Sequence, residues 1–213
     1  GAGANYYEYG GIYTHQWMVT DASGNTRTCE FTITVEDVMP PYITCPANTT
    51  VSADPGECDA AVTYSLPLNG DNCPGFIVKL EEGPASGEEF PLGTTTVVYF
   101  VTDYTGYITT CSFTVTVTDN EKPEIVTCPA DRDVFTSDNG TGDCIAPVPD
   151  LTGDVVATDN CSPFNNLTVT QSPIAGAGFG FAHGDELEVT ITVEDEHGNS
   201  TTCEVELKLK DDE

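Results

Sequence analysis

Basic residues are scarce: six Lys plus Arg stand against 35 Asp plus Glu in 213 residues, for a formal net charge of −29. Such a surface repels polyanions, which excludes nucleic acid and anionic membranes as partners. It repels copies of itself as well, so a tandem array of such units should stay extended and soluble. No apolar run approaches the roughly 18 residues that would span a bilayer. Helix-forming runs of Ala, Leu, Lys and Glu are missing while Thr and Val abound, which favours strands. The three histidines, His15, His183 and His197, lie far apart, and no Gly-x-Ser-x-Gly, His-Glu-x-x-His or phosphate-binding loop occurs. Catalysis is therefore not expected. The chain opens at Gly1 without Met or signal peptide, as a mature product or an excised piece would.

Cysteine and self-similarity are what the chain does have. Val19-Thr-Asp21-Ala-Ser-Gly24-Asn25 leads to Cys29, Val101-Thr-Asp103-Tyr-Thr-Gly106 to Cys111, and Val193-Glu-Asp195-Glu-His-Gly198-Asn199 to Cys203. Each Asp precedes its Cys by eight positions. Ile43-Thr-Cys45-Pro46-Ala47-Asn48 matches Val126-Thr-Cys128-Pro129-Ala130-Asp131. Between these markers lie Cys58 before Asp71-Asn72-Cys73, and Cys144 before Asp159-Asn160-Cys161. Two complete repeats are thus read, at 39–119 and 120–213, preceded by residues 1–38, which match only the last part of a repeat. Pro40-Pro41 and Pro123 mark the joints, too short for flexible linkers.

Each late cysteine opens an alternating strand: Cys29, Phe31, Ile33, Val35; Cys111, Phe113, Val115, Val117; Cys203, Val205, Leu207, Leu209. Period-2 apolar residues mark a strand with one buried face. The strand before alternates too, with Trp17 and Val19 matching Tyr99 and Val101, then Ile191 and Val193. Asp-x-x-Gly between them is a turn signal, so each repeat should end in a β-hairpin. His15, at a place matched by Val97 and Val189, should face inward. Many short strands punctuated by Gly, Pro and Asp-Asn predict an all-β chain of two-sheet sandwiches.

Four cysteines per repeat allow three connectivities. The reading adopted joins Cys45 to Cys111 and Cys128 to Cys203, tying the opening strand to the closing one. It joins Cys58 to Cys73 and Cys144 to Cys161, each closing a short loop. Cys29 is left unpaired or inter-chain. No Cys-x-x-Cys is present, which argues against zinc. Disulfides on this scale imply an oxidising, extracellular compartment.

The sequence resembles the hyalin repeat (HYR) family. The residues that carry the likeness are Pro41-Tyr-Ile43-Thr-Cys45-Pro46-Ala-Asn48, Gly70-Asp71-Asn72-Cys73, Phe90-Pro91-Leu-Gly93-Thr-Thr-Thr-Val97, Val101-Thr-Asp103 and Cys111-Ser-Phe113-Thr-Val115-Thr-Val117. Segment 120–213 keeps the cysteine frame but reads Phe181-Ala-His-Gly184 where the first reads Phe-Pro-x-Gly. The resemblance implies tandem immunoglobulin-like (fibronectin III-like) β-sandwiches in an extracellular, adhesive setting, with no catalytic residues to carry over. The style of the joints is similar to repeat-rich surface proteins of bacteria.

Acidic residues gather at the joints, and hard cations such as calcium want several oxygen ligands. Asp37, Asp119, Asn120 and Glu121 are the candidate metal ligands on this reading; the alternative is a solvated acidic surface, and beyond calcium no cofactor is expected. Asn48, Asn139, Asn166 and Asn199 begin Asn-x-Ser/Thr sequons in segments read as loops or turns. The expected role is a structural or adhesive segment of a surface stalk or fibre, with neighbouring repeats or copies arranged head to tail. Strands from outside would then complete residues 1–38. A module binding a glycan or protein ligand is the alternative, and Tyr6, Tyr7, Tyr9, Tyr104 and Tyr107 are its candidate contacts.

Overall fold

A computed structural model describes residues 7, 8, 10–136, 145–180 and 182–210. The chain opens with β1 (Ile12–Thr20) and β2 (Thr26–Thr34). Then come β3 (Tyr42–Thr44), β4 (Thr49–Ser52), β5 (Asp59–Ala61), β6 (Leu68–Gly70), β7 (Ile77–Glu82), β8 (Glu89–Pro91), β9 (Gly93–Thr102) and β10 (Ile108–Thr118). The remainder holds β11 (Glu124–Thr127), β12 (Arg132–Phe135), β13 (Ala146–Pro147), β14 (Val156–Thr158) and β15 (Thr168–Ser172). It ends with β16 (Gly178–Phe179), β17 (Glu186–Glu194) and β18 (Ser200–Lys210). Two short 3-10 turns, at Thr152–Asp154 and Phe164–Asn166, are the described helical segments. The chain is all-β and builds immunoglobulin-like sandwiches in tandem.

The strands fall into two compact units. One comprises Gly1–Thr49, Thr63–Glu88 and Thr95–Val115, the other Thr50–Val62, Glu89–Thr94 and Thr116–Glu213.

The second unit shows most plainly why these residues make a sandwich. β12, β18, β17 and β15 lie side by side in one sheet, with β12 parallel to β18 and the other pairs antiparallel. Val189, Ile191 and Val193 of β17 and Val205, Leu207 and Leu209 of β18 are completely buried, alternating with exposed or half-buried neighbours. The ladders β11–β14 and β13–β16 supply Ala157, Ala146 and Phe179 to the same core, and Leu151 and Val148 fill it. At about 25 cal/mol per Å2 of apolar surface, burial of side chains this size is the main stabilising term.

In the first unit β3 pairs with β6 and β7 with β9. Val97, Tyr99 and Val101 are buried with Phe113 and Val115. Tyr64 stands edge-on to Phe113 at 4.9 Å between ring centroids, and its hydroxyl lies 3.1 Å from that of Tyr99.

β1 and β2 form a hairpin that pairs with no third strand among the described residues. Trp17 faces Cys29 across it, the register that sets Ile191 opposite Cys203 across β17–β18. The outcome differs sharply. Trp17 is 65% exposed, Val19 72% and Phe31 46%, whereas Ile191, Val193 and Val205, at the matching places, are fully buried. His15 faces Phe31 and is half-buried, its ring stacked on that phenyl at 5.3 Å and hydrogen-bonded to the Tyr7 hydroxyl at 2.6 Å.

Candidate functional site

The hairpin turns share one construction. Gly24, Gly106 and Gly198 all take φ near +90°, a conformation glycine alone adopts without strain. The Asp three residues earlier turns its carboxylate onto the loop. Asp21 Oδ1 accepts from the Ser23 and Asn25 backbone N–H groups, and its Oδ2 from Asn25 Nδ2 at 2.8 Å. Asp195 repeats this with His197, Asn199 and Asn199 Nδ2. Burial acts to raise the Asp195 pKa, but the hydrogen bonds from Asn199, His197 and Gly198 outweigh it and hold the carboxyl below its ordinary value. The third turn carries Tyr107 where the others carry Asn. Asp103 Oδ1 accepts from Thr105 Oγ1 and from the Gly106 and Tyr107 N–H groups, but its buried Oδ2 has no partner.

That orphaned oxygen belongs to a cluster. Asp37, Asp71 and Asp103 each present a carboxylate oxygen, all within 4.8 Å of one another. Asp37 follows β2 and is fixed by an N–H from Met39 at 3.1 Å; Asp71 follows β6 and accepts the Asn72 N–H at 2.7 Å. Asp37 and Asp103 are buried, and Asp71 Oδ2 is a second buried oxygen without a donor. None of the ion pairs among the described residues reaches the cluster. Two like charges 4 Å apart repel by about 4 kcal/mol at the effective dielectric of a protein surface. A positive charge among them would offset that repulsion, and their donor set, oxygen alone, suits a hard divalent cation.

A second group, Asp119, Asp195 and His197, differs chemically. Both Asp195 oxygens already accept from the Asn199 turn, and His197 Nδ1 lies 3.2 Å from Asp119 Oδ2. That approach lacks hydrogen-bond geometry, so Asp119 Oδ2 also counts as buried and unpartnered. An imidazole in place of a third free carboxylate makes this a poorer calcium site.

Of the expected ligands, Asp37 and Asp119 thus lie in clusters, and Asn120 and Glu121 do not. Asn120 spends its amide on Ser52 Oγ and Thr118 Oγ1. Glu121 Oε2 accepts from the Gly56 N–H at 2.8 Å and Asn160 Nδ2 at 2.7 Å. The partners of Asp37, namely Asp71 and Asp103, were legible as turn residues but not as ligands.

Disulfides join Cys45 to Cys111 and Cys128 to Cys203, with α carbons 5.7 and 6.3 Å apart. The short-loop pairings need correction. Cys58 is bonded to Cys161, and Cys73 is free. Cys58 belongs to the unit that holds Cys161, and Cys73 belongs to the other, beside Asp71. Around the bond, Asn160 Nδ2 donates to the Glu57 carbonyl at 3.0 Å as well as to Glu121. Cys144, the expected partner of Cys161, lies outside the described residues. Cys29 is free and exposed.

Among the sequons, Asn48 and Asn166 are exposed. Asn139 lies outside the described residues. Asn199 is half-buried, and its amide nitrogen donates to Asp195 Oδ2 at 2.8 Å and to the Asp119 carbonyl at 3.3 Å, so a glycan there would displace one of these two bonds. Tyr104 is 80% exposed and Tyr107, in the same turn, is exposed too. Tyr7 is half-buried, while Tyr6 and Tyr9 lie outside the described residues.

Comparison with known proteins places these features. The hyalins of the sea urchins Strongylocentrotus purpuratus and Lytechinus variegatus are each 34% identical to this chain, over 120 and 123 residues. The matches cover 53% and 56% of the chain but 10% and 22% of those hyalins. These relatives are animal proteins, which corrects the likeness to bacterial surface proteins. Among solved structures, protocadherin gamma B2 extracellular cadherin domains 3-6 align over 94% of this chain and 60% of theirs, at 16% identity and a TM-score of 0.44. Drosophila N-cadherin EC1-4 aligns over 98% and 60%, at 15% identity and 0.38. At those scores the likeness does not bear on function. No helix among the described residues is long and apolar enough to cross a membrane. Residues 36–117 match the HYR domain family, and over that stretch the chain carries an HYR domain.

Proposed function

We propose that this chain is a length of an extracellular, non-catalytic array of HYR-type repeats, a structural and adhesive building block of a surface stalk or fibre. Its repeats are 39–119 and 120–213, with the closing part of another at 1–38. One observation carries this reading: Trp17, Val19 and Phe31 stand in water at the places where Ile191, Val193 and Val205 are fully buried. The opening strands of a like repeat would cover a face built in that register. Those strands come from a preceding repeat or from a neighbouring copy added head to tail. Calcium held by Asp37, Asp71 and Asp103 would sit where one repeat ends and the next begins, and would neutralise charge at the joint.

Negative-stain imaging and light scattering of the purified chain, with and without millimolar calcium, test the array. Filaments or end-to-end oligomers support it. A strictly monomeric particle with Trp17 still solvent-exposed, by fluorescence emission and quenching, removes the neighbouring copy as the source of strands. The exposed Tyr104 and Tyr107 favour a second reading, a binding module for a glycan or protein, since Tyr suits both contacts. Glycan-array binding lost on Tyr104→Ala would select it.

A further inference from the structure

We infer that Asp119, Asp195 and His197 form a metal site of the zinc kind within the second unit, chemically distinct from the oxygen-only cluster of Asp37, Asp71 and Asp103. Each of the three offers one donor atom, and these atoms all lie within 4.8 Å of one another. One donor is an imidazole nitrogen, which suits zinc and its transition-metal neighbours, whereas calcium and magnesium want oxygen throughout. The lack of Cys-x-x-Cys bears on thiolate sites alone, since histidine and carboxylate also bind zinc. Asp119 itself calls for a ligand. Its side chain is fully buried, yet Oδ2 receives no hydrogen bond, while Oδ1 takes the Glu121 N–H at 3.0 Å. His197 Nδ1 faces that oxygen at 3.2 Å, off the axis a hydrogen bond would need. An ordinary imidazolium–carboxylate pair closes to about 2.8 Å with the N–H aligned. Two donors on one tetrahedral zinc instead stand about 3.3 Å apart, given metal–ligand bonds of roughly 2.0–2.1 Å.

The turn between β17 and β18 sets the other two donors. Asp195 Oδ1 is committed to the His197 and Asn199 N–H groups, but Oδ2 takes one bond, from Asn199 Nδ2, and keeps a lone pair. His197 holds the turn through its backbone, so the ring is not needed there. That ring is one-third exposed and, with Asp119, borders a cleft of about 470 Å3 lined also by Leu92, Gly93 and Thr118. Ions and water therefore have a way in, and water would complete a coordination shell that the protein supplies in part. Among the described residues no Lys or Arg forms an ion pair with either carboxylate. A divalent cation would supply the charge that buried Asp119 lacks.

The site is independent of the array and of the calcium cluster, and calorimetry separates them. The 213-residue chain with Cys29→Ser, Cys73→Ser and Cys144→Ser, which keeps only the cysteines of the three disulfides, is titrated with zinc chloride in millimolar calcium. The expected result is uptake of one zinc per chain. His197→Ala should weaken it by more than about 100-fold, since loss of a mere supporting partner of a ligand costs about 10–100-fold. Asp119→Asn should do the same, whereas Asp71→Asn with Asp103→Asn should leave zinc uptake unchanged. Zinc should raise the thermal midpoint of the parent chain and not that of His197→Ala, and the two should melt together without zinc. No zinc uptake, or uptake unaltered by His197→Ala, overturns the inference and leaves Asp119 and His197 as an ion pair only.

Discussion

Cys58 and Cys161 are 103 positions apart in the chain and are bonded sulfur to sulfur, with α carbons 5.2 Å from each other. The bond closes a long loop, and in the chain-entropy model long loops gain the most from closure. Cys58→Ser with Cys161→Ser is therefore expected to cost about 2–4 kcal/mol. Differential scanning calorimetry checks it; an unchanged midpoint would show that the loop ends are held together without the sulfurs.

Calcium should raise the stability of the unit that holds Asp37, Asp71 and Asp103. A ligand at 100 times its dissociation constant adds about 2.7 kcal/mol to the native state. Titration calorimetry should detect uptake in the wild type and its loss in Asp71→Asn with Asp103→Asn. Without calcium that double variant should melt no lower than the wild type, because it removes like-charge repulsion. Equal calcium uptake by both proteins would refute the site.

Ile191 and Trp17 hold equivalent places in different surroundings. Ile191→Ala should cost roughly 2–5 kcal/mol, by lost transfer energy and the cavity left behind. Trp17→Ala should fall within about 0.5 kcal/mol in the monomer, as exposed sites do. The two values should converge once strands cover the hairpin, so chemical denaturation of monomeric and assembled samples reads out whether the face has been buried.

Asn199→Ala should cost stability near neutral pH and little in strong acid. The hydrogen bonds of the Asn199 turn lower the Asp195 pKa in the folded chain. A depressed carboxyl contributes stability that is complete above its unfolded value, about 3.9, and is lost as pH falls through the lower folded value. Removing the donor raises the folded pKa, so the variant should lose stability mainly above that range. The two proteins should draw together in strong acid. Circular dichroism against pH measures the difference, and parallel curves at every pH would show that Asp195 is not the group involved.

Expressed through a eukaryotic secretory route, Asn166 and Asn48 should accept glycan and Asn199 should not. Glycopeptide mapping decides. A glycan at Asn199 in folded protein would mean that the turn forms without one of the two bonds its amide nitrogen donates.

The strands were legible because their signal is local. Alternation of Phe113, Val115 and Val117, or of Val205, Leu207 and Leu209, fixes which side is buried whatever the neighbours do. The hairpins followed from Asp-x-x-Gly, and Cys45–Cys111 and Cys128–Cys203 from the need to tie opening to closing strands. Cys58 misled because nearness in sequence stood in for nearness in space. Its loop is placed by the β5–β8 ladder, and no local pattern reveals which cysteine that ladder reaches. The acidic cluster hid for a similar reason. Asp37, Asp71 and Asp103 come from three separated turns, so a search for runs of acidic residues finds Asp37 and passes over its companions. The replacement of Asn by Tyr107 was visible, but it gains meaning only once Asp103 Oδ2 is seen to be buried.

If this chain is pulled from its ends, the Cys58–Cys161 bond becomes a bypass for the load. Tension that arrives at residue 58 crosses two sulfur atoms and leaves at residue 161, and the 103 positions between them are never drawn out. At about 3.4 Å per extended residue, some 350 Å of slack stays locked away. A strand of such links would have its reach capped at about half of what the bare chain could extend to, until a covalent bond gives way.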